Sequence, residues 1–141
     1  TGYRSGAIIS KNTELMNLLK KMRAAMGVGT PSFIQKAATV AWNDPDHVIN
    51  HRISYKQKRD QLIAATSTAN INVFGASAGF YLWLSSPEYG TSDALAKRLL
   101  EKGILVTPGT IFGNDGDPYV RMVYCLTDEL IQELSVRLVN E

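Results

Sequence analysis

Apolar residues recur at helical spacing near the start of the chain and at alternating spacing nearer its end. Leu15, Leu18, Leu19, Met22 and Met26 fall three and four apart, which predicts an amphipathic helix capped by Asn12 or Thr13 and stopped by Gly27 and Gly29. Thr30-Pro31 reads as N-cap and first residue of a second helix, with Ile34, Ala37, Ala38, Ala41 and Trp42 on its inner side. Asp44-Pro45 repeats that signal and opens a long charged helix through about Ala65. Its apolar residues, Ile49, Ile53, Leu62 and Ile63, are sparse. A long helix with that much polar surface often bridges two subdomains, so it marks the expected boundary.

Beyond it the pattern changes. Ile71 to Phe74 and Gly79 to Leu84 read as strands joined by the small-residue turn Gly75 to Ala78, a hairpin. Thr91 or Ser92 caps a helix carrying Leu95, Leu99 and Leu100, which Gly103 ends. Ile104-Leu105-Val106 is expected as a third strand, and Tyr119 to Cys125 as a fourth after the polar loop Asn114 to Pro118. Thr127 caps a last helix with Leu130, Leu134 and Leu138 in its stripe. The predicted class is α+β, a short sheet with helices packed on one side, preceded by a helical segment. Before all of this, a strand-like run ends at Ala7-Ile8-Ile9. A domain rarely opens inside its own sheet, so the chain reads either as a trimmed or processed product or as the distal half of a longer protein.

Composition narrows the class without naming a function. The 141 residues are 45% apolar and 20% charged, enough for a sizeable core. A net charge of +2 gives no argument for nucleic acid or an anionic membrane. No apolar run approaches the length of a membrane span. The single cysteine, Cys125, excludes an internal disulfide, fits a reducing cytosolic setting, and is expected as a small buried hydrophobe.

Two arginines are candidates for chemistry. Arg121 sits within Tyr119-Val120-Arg121-Met122-Val123-Tyr124, where alternation puts Tyr119, Arg121, Val123 and Cys125 on one face. A guanidinium among apolar neighbours needs an anion. Either a surface acid pairs with it, or it is a receptor for a ligand carboxylate, with the turn-rich loop Pro108 to Gly113 as a wall. Arg4, in Gly2-Tyr3-Arg4-Ser5-Gly6, has glycines on both sides that permit close approach. It is either an ordinary strand-edge arginine or a phosphate ligand. His47 and His51 stand four apart on one helix, but no carboxylate or cysteine completes a metal set. Asn114-Asp115-Gly116-Asp117 lacks the spacing and terminal glutamate of a calcium loop and reads as a polar turn.

Taken in order, Thr1-Gly2-Tyr3-Arg4-Ser5-Gly6, Pro31 to Ala38, Pro108 to Gly113 and Tyr119-Val120-Arg121 resemble landmarks of the C-terminal part of the fold-type I pyridoxal-phosphate aminotransferases, class I and II. The stretches Gly79 to Leu84 and Gly103 to Gly109 look most like the branch that includes succinyl-diaminopimelate aminotransferases of lysine biosynthesis. The resemblance implies that residues 1–44 are the distal segment of a large cofactor-binding domain and residues 45–141 the small domain. It implies that Arg121 grips a substrate α-carboxylate and Arg4 the phosphate of pyridoxal 5'-phosphate. It places the cofactor-bearing lysine upstream of Thr1, so that no catalytic residue belongs to this chain and the chain alone is expected to be inactive. The parent is expected to be a cytoplasmic homodimer moving an amino group between an amino acid and a 2-oxo acid. The alternatives are a pyridoxal-phosphate lyase or synthase, an amine-sensing domain of a transcription regulator, and a free-standing α+β ligand-binding module.

Overall fold

The computed structural model describes residues 2–27 and 29–140. These fall into two compact units, Thr1–Ile49 and Asn50–Glu141.

The first unit carries helices α1 (Thr13–Ala25) and α2 (Ser32–Trp42) and the start of α3 (Pro45–Thr68). Asn12 caps α1, its Oδ1 accepting the Leu15 N–H at 2.9 Å. The predicted stripe of α1 is uncovered: Leu18 is 63% exposed and no residue of the helix is buried. In α2 only Ala38 of the expected inner row is buried, and Trp42 is 65% exposed. Thr30 does not cap α2. Pro31 occupies the cap position without a side-chain bond, and the Thr30 carbonyl instead accepts Gln35 Nε2 at 2.7 Å. The strand-like run through Ile9 is not a strand either, for Ile8 and Ile9 lie in irregular, exposed backbone with no partner strand among the described residues.

The second unit holds a four-stranded antiparallel sheet of β1 (Asn72–Phe74), β2 (Tyr81–Ser85), β3 (Thr107–Pro108) and β4 (Val120–Val123), in the order β1-β2-β4-β3. The predicted hairpin forms, with Asn72 opposite Ser85 and Phe74 opposite Trp83. Helix α3 runs three residues past the expected Ala65. Helices α4 (Ser92–Glu101) and α5 (Asp128–Val139) are capped by Thr91 and Thr127, whose hydroxyls accept from Ala94 and Leu130. Leu62 of α3, Leu95 and Leu99 of α4, and Ile131, Leu134 and Leu138 of α5 form one core with Leu82, Leu84, Val120 and Met122 of the sheet. All four of those strand residues point to one face, so the sheet is covered on that side by helices, as expected.

The third strand departs from its expected position. The Ile104 N–H donates to the Leu99 carbonyl at 2.8 Å to close α4, and Ile104 is buried. Leu105 is 83% exposed, and pairing starts only where Thr107 meets Arg121. The apolar run is used first to end a helix and then to cross to the sheet edge. The helix C-termini also tie each other down. Lys102 Nζ donates to the Leu138 and Asn140 carbonyls, while Arg137 Nη1 donates to the Lys102 and Gly103 carbonyls.

Candidate carboxylate site on the open sheet face

Because β4 buries Val120 and Met122 against the helices, its intervening residue Arg121 projects from the opposite face. Its neighbours there are set by register: Trp83 of β2 on one side and Thr107 of β3 on the other. Arg121 Cζ lies over the ring of Tyr81 and over that of Phe112, 4.4 Å from each centroid, so two aromatic faces hold the guanidinium. Trp83 supports Phe112 edge-on at 5.5 Å. Arg121 is half-buried and makes no ion pair or side-chain hydrogen bond among the described residues. The rings hold the charge in place, yet its in-plane N–H donors remain unused.

Arg121 borders a cleft of about 490 Å³, whose walls include Tyr81, Val106, Thr107, Pro108 and Ile111. The Pro108–Gly113 loop therefore is a wall of the site. Its shape depends on Gly109, whose N–H donates to the Tyr119 carbonyl at 2.8 Å. A Cβ on Gly109 would overlap the carbonyl oxygens of Gly116 and Tyr119, so only glycine fits. Tyr81 and Phe112 were not singled out by the sequence reading. The signal for Tyr81 was there, because strand alternation puts Tyr81 and Trp83 on the face opposite Leu82 and Leu84.

Arg4 lies in the first unit. It has φ of 51°, follows Gly2 at φ of 89°, and is exposed with no ion pair or hydrogen bond among the described residues. A left-handed arginine with an unengaged guanidinium is compatible with an anionic ligand.

The remaining polar candidates have partners within the chain. His47 Nδ1 stands 3.2 Å from Asp44 Oδ2, and His51 stacks on Tyr55 at 5.8 Å. No group of three metal-ligating side chains occurs among the described residues. Asp117 Oδ1 accepts the Ser92 N–H at 2.6 Å, which fastens the polar turn to the start of α4. Cys125 is exposed rather than buried, because β4 ends at Val123 and the core position next to it goes to Tyr124. Tyr124 is fully buried, donates its hydroxyl to the Gly79 carbonyl at 2.6 Å, and has its phenol pushed above the ordinary range by that burial. No helix among the described residues is long and apolar enough to cross a membrane.

The fold and this arginine-bordered cleft can now be set beside known proteins. The sequence pattern of the family described as aminotransferase class I and II matches residues 1–138, and the chain belongs to that family. It is 33% identical over 140 residues to the LL-diaminopimelate aminotransferase of Dehalococcoides mccartyi, covering 98% of this chain and 36% of that protein. It is likewise 33% identical over 137 residues to the 4-dedimethylamino-4-oxo-anhydrotetracycline transaminase OxyQ of Streptomyces rimosus, covering 97% of this chain and 37% of that one. Among solved structures, an aminotransferase from Staphylococcus aureus superposes with a TM-score of 0.79 at 32% identity, over 91% of this chain and 35% of its own. The chain thus spans little more than a third of the length of the curated relatives it matches.

Proposed function

We propose that this chain is the C-terminal part of a pyridoxal-phosphate aminotransferase, in which Arg121 receives the α-carboxylate of the amino-acid substrate. The observation that carries the reading is Arg121 itself, clasped by Tyr81 and Phe112 at a cleft with its hydrogen-bond donors unspent. A carboxylate entering the cleft takes two parallel N–H···O bonds from that planar fork. The two rings restrict rotation of the guanidinium, so the carboxylate is gripped in one plane and the substrate's Cα is oriented with it.

Pyridoxal 5'-phosphate, when bound, supplies an electron sink for the carbanion at the amino acid's Cα. Arg4 would hold its phosphate. The exposed, unpaired guanidinium and the left-handed backbone at that residue fit the task. The lysine that bonds the cofactor is assigned to the protein upstream of this chain.

On this reading residues 1–44 close the large domain and residues 45–141 form the small one. The uncovered apolar residues Leu18, Met22, Phe33 and Val40 support the first part, since each awaits a partner surface. A cytoplasmic homodimer acting in amino-acid biosynthesis is the setting proposed for the whole protein. Relatives named for LL-diaminopimelate favour a lysine-pathway substrate, while the transaminase OxyQ, at the same identity to this chain, is named for a different one.

The test is Arg121→Ala and Arg121→Lys in the whole protein containing this chain. Loss of a charged fork lowers kcat/KM for the amino acid by about 30- to about 1000-fold, equivalent to about 2–4 kcal/mol. Lysine restores little of it, being a point charge rather than a planar fork. Unchanged turnover in the alanine variant overturns the assignment.

A further inference from the structure

The open sheet face carries a second aromatic cluster beside the one that clasps Arg121. Phe74 of β1, Trp83 of β2 and Tyr119, just before β4, line a separate cavity of about 190 Å³ with Asp115. Trp83 stands perpendicular to Tyr119, at 90° and 6.4 Å between centroids, which makes a corner of two ring faces. Phe74 leans over that corner, tilted 41° to Tyr119 at 5.6 Å. Asp115, in the turn Asn114–Gly116, is exposed and makes no hydrogen bond or ion pair among the described residues. Its neighbour Asp117 is spent on the Ser92 N–H, so of the two carboxylates Asp115, which borders the cavity, is the unengaged one.

We propose that this cavity binds a small alkylammonium ion, with the faces of Phe74, Trp83 and Tyr119 around the cationic head and Asp115 balancing its charge. Aromatic faces present negative potential, and a head seated among several of them is held by cation–π attraction that a neutral group of the same shape does not feel. The adjoining cluster shows the same chemistry, satisfied internally: there two rings of this sheet face hold the Arg121 guanidinium. At the Phe74 cluster no cationic side chain lines the cavity. The space of about 190 Å³ is many times what a single water needs, room for a trimethylammonium or hydrated primary ammonium head. The carboxylate favours a charged head over an apolar one, since only the charged head gives Asp115 a counter-charge. The site shares Trp83 with the proposed carboxylate grip, where that ring supports Phe112, but Phe74 and Asp115 belong to this cavity alone.

The test uses the full chain with Trp42→Phe, which leaves Trp83 as the sole tryptophan. Trp83 fluorescence is titrated with choline and with its neutral isostere 3,3-dimethylbutan-1-ol. Choline gives a saturable change, and the alcohol binds about tenfold more weakly, the factor expected from one to two kcal/mol of cation–π attraction. Asp115→Asn and Phe74→Leu, both at exposed positions, each weaken choline several-fold while the circular dichroism spectrum is retained. Equal binding of the two ligands would mark an apolar groove and overturn the proposal. So would a linear, unsaturated response to choline up to about 100 mM, well beyond the weak millimolar range, or variants that bind choline like the parent.

Discussion

The clasp on Arg121 makes a measurable demand. If Phe112 holds the guanidinium, replacing both residues must cost less than the sum of replacing each. Phe112→Leu removes one ring face at 4.4 Å and also the edge contact with Trp83, while exposing little new surface because Phe112 is already 50% exposed. Arg121→Met removes the charge and keeps an apolar stem of similar reach. A cation–π contact is worth about 0.5–1 kcal/mol when exposed and about 2 kcal/mol when desolvated. Arg121 is half-buried, so about 1 kcal/mol is the expected coupling between the two sites. The Phe112–Trp83 contact, worth a similar amount, is lost in both arms of the cycle and cancels. Urea unfolding followed by Trp83 fluorescence, in a Trp42→Phe background, reports the second unit specifically. A Tyr81→Leu cycle against Arg121→Met should give a coupling of the same order from the other face. Coupling energies within about 0.2 kcal/mol of zero in both cycles, below the usual additivity error, would refute the clasp. The guanidinium would then be held by something else, and its fixed plane could no longer be argued.

Gly109→Ala forces a Cβ into the Gly116 and Tyr119 carbonyls, and should destabilise the second unit by about 3 kcal/mol, at the upper end of overpacking costs. An unchanged urea midpoint would refute the close approach that shapes the Pro108–Gly113 wall. Burial raises the folded pKa of Tyr124 above its unfolded value near 10, so the neutral phenol contributes stability that is complete below about pH 10 and lost as pH rises through the folded pKa. The unfolding free energy of the parent should fall more steeply above about pH 10 than that of Tyr124→Phe; parallel curves would contradict the burial.

How much of this was legible in the residues depends on whether a signal was local. The side-chain caps at Asn12, Asp44, Thr91 and Thr127 are short-range hydrogen bonds between neighbours in sequence, and each forms at a residue the sequence offers for it. The Gly75–Ala78 hairpin is local in the same sense. The failures arise where tertiary context overrides local preference. Ile104-Leu105-Val106 has β-propensity in full, but the Schellman-type closure at Ile104 claims its first backbone donor and delays pairing to Thr107. Ala7-Ile8-Ile9 has it too, yet a strand needs a neighbour, and none stands beside it among the described residues. Cys125 shows the same limit: alternation puts it on the Arg121 face, but exposure there is decided by where β4 stops.

At the site, the arginine was readable and its holder was not. A lone cation in an apolar row announces a missing counter-charge, and the natural search is for an acid. The structure answers with Tyr81 and Phe112, one across the sheet on β2 and one in the turn after β3, brought together by register. This difference bears on function. An acid at contact distance would have spent the in-plane donors of Arg121 and competed with any incoming carboxylate. Two rings stabilise the charge with their own faces and take none of its N–H donors. An arginine held by carboxylates is finished structure, whereas one held by rings retains a binding capacity. That is why the clasp, more than the arginine alone, argues for a receptor on this face.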